Sequence, residues 1–359
     1  MNRSPSHDVP DRNRRRFLQA LTTAAAAIGG IAPDASRAAD DNPELTAAEM
    51  ITDETQRTID LGLSFLAKRQ QPDGSFGGGG YSRDVAVSAL AGMAFIASGS
   101  TPSRGPYGEH IERSIRYLIE HTQDSGFINV PGSGSHGPMY GHGFATLFLA
   151  ETYGMTRNAE IREKLSRAVN LICNSQNAEG GWRYQPIRKE ADISVTICQV
   201  MALRAAKNAG MHVPADVIDK CIDYVKKSQN SDGGFMYMIN GGQSAFPRSA
   251  AGVVALYSAG IYEGPEVERG LAYVMDYMPH GTGFNRESHY FYGHYYAVQA
   301  MWIKGGEHWR KWFPAVRDEL IQRQRKDGSW MDSICQEYGT AMACIILQIP
   351  NNYLPIFQR

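Results

Sequence analysis

The chain is poor in cysteine. It has five in 359 residues (Cys173, Cys198, Cys221, Cys335 and Cys344), and no two form a Cys-x-x-Cys pair. An odd number at irregular spacing is no disulfide framework and no zinc ribbon, so most of these thiols are expected to act as small buried hydrophobes. After residue 39 there is no run of eighteen apolar residues, which excludes a membrane-spanning helix from that part. Positive charge is not in surplus either: Lys and Arg number 36 against 37 Asp and Glu, and residues 39–359 are more acidic than basic. A nucleic-acid partner would want a basic face, so none is expected. Tryptophan is scarce, with five residues.

Residues 1–39 read as an export signal rather than as part of the fold. Arg14, Arg15 and Arg16 precede Phe17 and Leu18, an Ala- and Gly-rich apolar run follows, and "SRAAD" ends in small residues. The pattern is similar to a twin-arginine signal, with Asn13 and Gln19 as departures. It implies cleavage near Ala38 or Ala39 and an extracytoplasmic or periplasmic protein. Residues 40–53 are read as a linker and 54–359 as one domain.

That domain is repetitive. "KRQQPDGSF", "HTQDSGF", "NSQNAEGGW", "KKSQNSDGGF", "YMPHGTGF" and "RQRKDGSW" end at Phe76, Phe127, Trp182, Phe235, Phe284 and Trp330. The steps are 51, 55, 53, 49 and 46 residues, which means one supersecondary unit used six times. Before each phrase lies an amphipathic stretch; in the first, Ile59, Leu63 and Leu66 share one helical face. After each phrase comes a stretch that is apolar all round and rich in small residues, such as "DVAVSALAGMAFIASG", which suits a buried helix. Within the phrase, Gly supplies the positive φ that ends one helix and turns the chain, and the aromatic anchors the turn. Six outer and six inner helices predict an all-α (α/α)6 toroid.

The phrase of Gln, a few residues, then Asp-Gly-Gly/Ser-Phe/Trp resembles the repeat of the prenyltransferase and squalene cyclase superfamily, over roughly residues 54–350. "MYGHGFATLFLAETYGM", "DISVTICQVMAL", "YFYGHYYAVQAMW" and "YLPIFQR" resemble a compact bacterial branch of it. The resemblance implies an α/α toroid with an apolar central cavity for an isoprenoid or other lipid-like ligand, and peripheral contact with a membrane. The departures are chemical. The Asp-x-Asp-Asp string of protonating cyclases is absent, as is the Asp-x-Cys of the zinc-binding prenyltransferases, so neither a metal nor another cofactor is expected. "CQEY" at Cys335 has Tyr338 where a complement-like thioester needs Gln.

Inner helices in such a ring point one end at a common mouth. Aligning them on a small residue in the first turn places Asp84, His142, Asp192, Arg248 and Glu337 at their starts, as a ring of ionisable groups able to supply a general acid. Asp84 and Asp192 also suit helix N-caps; His142 and Arg248 do not, since a cation is unfavourable there. Tyr140, Tyr184, Tyr292, His294 and Tyr338 are expected beside them as ligand-binding groups whose aromatic faces shape and stabilise a polyene. His136 and His142, six apart in a Gly-rich loop without a carboxylate, make a poor metal pair. Three functions compete on these residues. One is an isoprenoid site, catalytic or binding only. A second is a carbohydrate-active toroid using paired carboxylates. The third is a non-catalytic interaction module with a filled barrel.

Overall fold

Twelve long helices alternate between two layers. In the computed structural model, residues 42–133, 137–239, 241–279 and 288–358 are described. Asp41–Arg359 form one compact unit. The outer helices are α1 (Asp53–Arg69), α3 (Gly108–Glu120), α5 (Ala159–Ser175), α7 (Ala215–Lys227), α9 (Pro265–Met275) and α11 (Gly306–Arg323). The inner helices are α2 (Val85–Ala97), α4 (Pro138–Thr156), α6 (Ile193–Asn208), α8 (Phe246–Ser258), α10 (Tyr290–Lys304) and α12 (Gln336–Gln348). Each inner helix packs on the next, and α12 returns onto α2, so the expected (α/α)6 toroid is a closed ring. The export reading of residues 1–39 lies outside the described residues, as do His136, His280 and Phe284. Among the described residues no helix is long and apolar enough to cross a membrane. Part of the expected linker is docked instead of free: Ala47 is buried, and the Met50 carbonyl accepts from Arg317 at 3.0 Å.

The layers differ as their sequences do. Outer helices bury one stripe, Ile59, Leu63 and Leu66 in α1, whereas twelve of the thirteen residues of α2 are buried. Small residues set the inner spacing. A Cβ on Gly92 would lie 2.4 Å from the Phe148 ring, and one on Gly141 2.6 Å from Val85. Larger side chains there would push the inner helices apart. The five cysteines carry free thiols, and all but Cys173 are buried.

Every described outer-to-inner hinge is built alike. Gly74, Gly126, Gly180, Gly233 and Gly328 have φ between 87° and 97°, and a Cβ on any of them would sit within 2.5 Å of a carbonyl oxygen on another outer helix. Only glycine suits that conformation and that approach. In four hinges a glutamine donates twice. Gln70 donates to Gly74 O and His110 O, Gln176 to Gly180 O and Val217 O, Gln229 to Gly233 O and Glu266 O, and Gln324 to Gly328 O and Thr58 O. The first bond closes its own turn; the second holds the start of another outer helix. The anchor's N–H then donates to a hydroxyl on the inner helix: Phe76 to Ser88, Trp182 to Thr196, Phe235 to Ser249 and Trp330 to Thr340.

The second hinge corrects the sequence reading. Its Gly126 is followed by a half-buried Phe127, and the fully buried anchor is Ile128. Thr122, not Gln123, stands four residues before the glycine. The hydroxyl is replaced by His142, whose Nδ1 accepts the Ile128 N–H at 3.2 Å.

Candidate functional site

The hinge hydroxyls give the true register of the inner helices, and it separates the ionisable residues that were expected to form one ring. Asp84 and Asp192 are the N-caps. Asp84 Oδ1 accepts from Ala86 N and Val87 N at 2.8 and 3.1 Å, and Asp192 Oδ1 accepts from Val195 N at 2.9 Å. His142 lies a turn further in, between α4 and α5, with Nε2 3.3 Å from Ala168 O. Burial holds its pKa down at about 4, so it is a neutral acceptor and brings no cation to the helix start. Arg248 spends its guanidinium on its own hinge, donating to Phe235 O at 2.9 Å and to Gln243 O. Glu337 is buried against Arg69 from the end of α1, at 2.7 Å. His294 packs among Tyr290, Phe246 and Trp312, with ring centroids at 4.3, 5.0 and 5.7 Å, and burial holds its pKa down at about 3. His142, His294, Arg248 and Glu337 are thus held by the scaffold.

The tyrosines do converge. Tyr140 from α4 lies 6.2 Å from Tyr184 and 6.5 Å, edge-on, from Tyr292 of α10. Tyr292 donates to Ser194 O at 2.8 Å and packs 4.8 Å from Tyr296. Tyr338 of α12 raises the pKa of Tyr292, so it lies within electrostatic reach of the same group. Next along α10, Tyr295 is fully buried among Tyr296, Phe144 and Phe357 at 4.9, 6.1 and 6.4 Å. The partly exposed Tyr140, Ser194 and Tyr292 line a mouth at the starts of the inner helices.

One acid at this mouth has a buried oxygen left over. Asp192 is fully buried, yet its Oδ2 has no hydrogen-bond partner. Loss of hydration pushes its pKa up to about 6, against the pull of the Val195 N–H and the Arg183 charge. The tyrosines feel it in turn: Asp192 raises the pKa values of Tyr140, Tyr237 and Tyr292. A carboxyl that titrates near neutrality, with one oxygen free and aromatic rings around it, is equipped as a general acid.

Two residues of the mouth escape a reading by residue type. Tyr237 joins hydroxyls with Tyr184, and Asp332 is partly buried beside Tyr338 and His289, its pKa raised by lost hydration. A positional signal exists for both. Tyr184, Tyr237 and Asp332 each stand two residues after a hinge aromatic (Trp182, Phe235 and Trp330), so the loop after the hinge feeds the mouth in the third, fourth and sixth repeats.

Comparison with known proteins agrees with this architecture. Residues 146–287 match the squalene-hopene cyclase C-terminal domain, and residues 17–167 match the prenyltransferase alpha-alpha toroid domain. The chain carries the α/α toroid of the prenyltransferase and squalene cyclase superfamily. This toroid superposes on type II terpene cyclase MstE from Scytonema, solved with geranylgeranyl dihydroxybenzoate, with a TM-score of 0.58 and 14% identity, covering 84% of this chain and 98% of that one. It also superposes on cellobiose 2-epimerase from Bacillus thermoamylovorans (TM-score 0.63, 13% identity, 84% and 98% covered). A GH76 alpha-mannanase from Bacteroides thetaiotaomicron gives 0.59 and 12% identity, with 86% and 98% covered. At these identities the likeness is one of fold. No curated protein sequence matches the chain.

Proposed function

We propose that this toroid is an exported isoprenoid-binding enzyme of the cyclase type, with Asp192 as its acid. The observation that carries the reading is the free, buried Oδ2 of Asp192 against a mouth of tyrosine rings. Bond by bond, the proton on the Asp192 carboxyl passes to a terminal alkene of a linear isoprenoid. The alkene π pair forms the new C–H bond, leaving a carbocation on the neighbouring carbon; the π pair of a second alkene in the same chain closes a ring on it, and the final cation loses a proton to solvent, from which Asp192 is reprotonated. The faces of Tyr140 and Tyr292 lie where they can stabilise that charge, and their ring bodies exclude water that would quench it. The proposed ligand is apolar, which suits delivery from a membrane surface.

The reading also draws on the superfamily of the repeats and on a terpene cyclase among the solved structures that share the fold. The carbohydrate reading needs two carboxylates facing one substrate. Glu337 is bound to Arg69, and Asp84 and Asp192 each spend Oδ1 capping their own inner helix.

The test is to incubate purified residues 40–359 with linear isoprenoids of graded chain length and to analyse solvent extracts by mass spectrometry and NMR. A product of unchanged mass with fewer double bonds is expected, and Asp192→Asn removes it. Turnover of oligosaccharides with no binding or conversion of any isoprenoid would overturn the proposal.

A further inference from the structure

Asp192 is held from two sides by the loop that follows the next hinge. Its own N–H donates to Trp182 O at 3.0 Å, and the adjoining Ile193 N–H donates to Tyr237 O at 3.1 Å. The Tyr237 phenol therefore lies within electrostatic reach of the same carboxyl. In the structure the Tyr237 hydroxyl is engaged with the Tyr184 hydroxyl, while Asp192 Oδ2 has no partner. Both phenol rings lie under the Arg183 guanidinium, at 5.2 and 5.9 Å, and Arg183 is fixed by Glu190. A phenol proton between two acceptors goes to the stronger one, and a carboxylate is a stronger acceptor than a phenol.

We propose that Tyr237 is a positioning residue for the acid: its hydroxyl bonds to Tyr184 while Asp192 is protonated and turns to Oδ2 when Asp192 ionises. The carboxyl then keeps one orientation through both protonation states, with Oδ1 on the helix N-terminus and Oδ2 toward the mouth. The Tyr237 carbonyl fixes the first turn of α6 in the same register. The inference rests on the reading of Asp192 as the acid but not on the identity of the substrate. The other groups around Asp192 are Arg183 on the preceding loop, whose charge favours its ionised form, Tyr140 on α4, Cys198 on α6, Tyr224 on α7 and Tyr292 on α10, whose pKa values it raises, and Tyr184, which reaches it through Tyr237. Among these, only Tyr184 shares a hydrogen bond with Tyr237.

The experiment follows the Asp192 carboxyl carbon by NMR against pH in the full chain, with Asp192→Asn to assign the signal. Tyr237→Phe removes the donor to the ionised form, so the midpoint rises by about half a unit or more. Tyr184→Phe removes the competing acceptor, so Tyr237 turns to Asp192 earlier and the midpoint falls. Opposite signs from two neighbouring phenols are not what a packing role gives. Arg183→Gln, which removes a charge that favours the ionised carboxylate and so raises the midpoint, checks that the signal reports on this site. If both phenol variants leave the midpoint within about 0.2 unit, or move it in the same direction, the proposal is overturned. If Tyr237→Phe does not fold, a rising or unchanged midpoint in Tyr184→Phe overturns it alone. Midpoints that move as expected in a protein that neither binds nor converts isoprenoids would remove the proposed substrate and leave the role of Tyr237 standing.

Discussion

The two ends of the inner ring each hold a buried carboxyl with a raised pKa and an unpartnered oxygen, yet their surroundings differ. At the mouth, Asp192 sits beside the partly exposed Tyr140 and Tyr292, and its pKa is about 6. At the other end, Glu151 of α4 is pushed up to about 8 by burial, with the Ile356 N–H as its stabilising contact. There the C-terminal segment seals the ring. Gln348 and Asn351 donate to Ala94 O and Ala97 O at the end of α2, and Leu354, Ile356 and Phe357 are buried. Burial alone therefore shifts a carboxyl; access and surrounding faces make it a reagent. At neutral pH Glu151 is mostly protonated, whereas Asp192, with a pKa of about 6, is mostly ionised and exchanges its proton just below neutrality.

That contrast can be broken from either side. Phe357→Ala should have the largest effect, because it empties the sealed end beneath Tyr295. A loss of about 3–5 kcal/mol in denaturant unfolding is expected, with little change at the Asp192 signal. Asp192→Asn should do the reverse: isoprenoid turnover falls by about 100-fold or more, measured as product per enzyme, while the fold is kept. Arg248→Ala costs about 1–3 kcal/mol of stability by freeing the Phe235 carbonyl, and its turnover per folded molecule stays near the parent value.

The smallest and most specific prediction concerns pH. Glu151 has a folded pKa near 8 against 4.5 unperturbed, so its contribution is whole below about 4.5 and is lost as pH rises through about 8. Asp192 loses its share between 3.8 and about 6. Melting temperature should therefore decline across that range, and Glu151→Gln should flatten the decline at its upper end. The buried neutral His142 acts in the opposite sense. Its pKa is depressed from 6.5 to about 4, so its share of stability is present above 6.5 and is lost as pH falls through about 4. His142→Ser, which restores the hydroxyl used in other hinges, should remove that loss.

Much of this was written in the pattern of the chain, because repetition and burial are periodic. The fifty-residue period, the contrast between one-faced and all-apolar helices, the hinge glycines and the capping role of Asp84 and Asp192 follow from spacing and residue type. The register of the second, fourth and sixth inner helices did not. Small residues there serve helix packing, whereas the register is kept by a side chain that accepts the hinge N–H: Ser88, Thr196, Ser249, Thr340 and, by substitution of one acceptor for another, His142. Arg248 and Glu337 looked like site residues because they ionise; their partners, Phe235 O and Arg69, are set by tertiary geometry that spacing does not encode. Tyr237 could have been found by comparing repeats instead of residues, since it repeats Tyr184.

The last hinge has a topological meaning. Gln324 donates to Thr58 O, so the bond that links repeat to repeat elsewhere also joins the sixth to the first. An open solenoid frays from its ends and needs polar caps there. This array has no terminal repeat to fray, because every unit has a neighbour on both sides. Its unfolding should be one cooperative step, and a glutamine-to-alanine change at position 70, 176, 229 or 324 should weaken the whole circle by a similar amount. Where the chain happens to be cut is then almost arbitrary, and a permuted version that opens at another outer loop should close into the same ring.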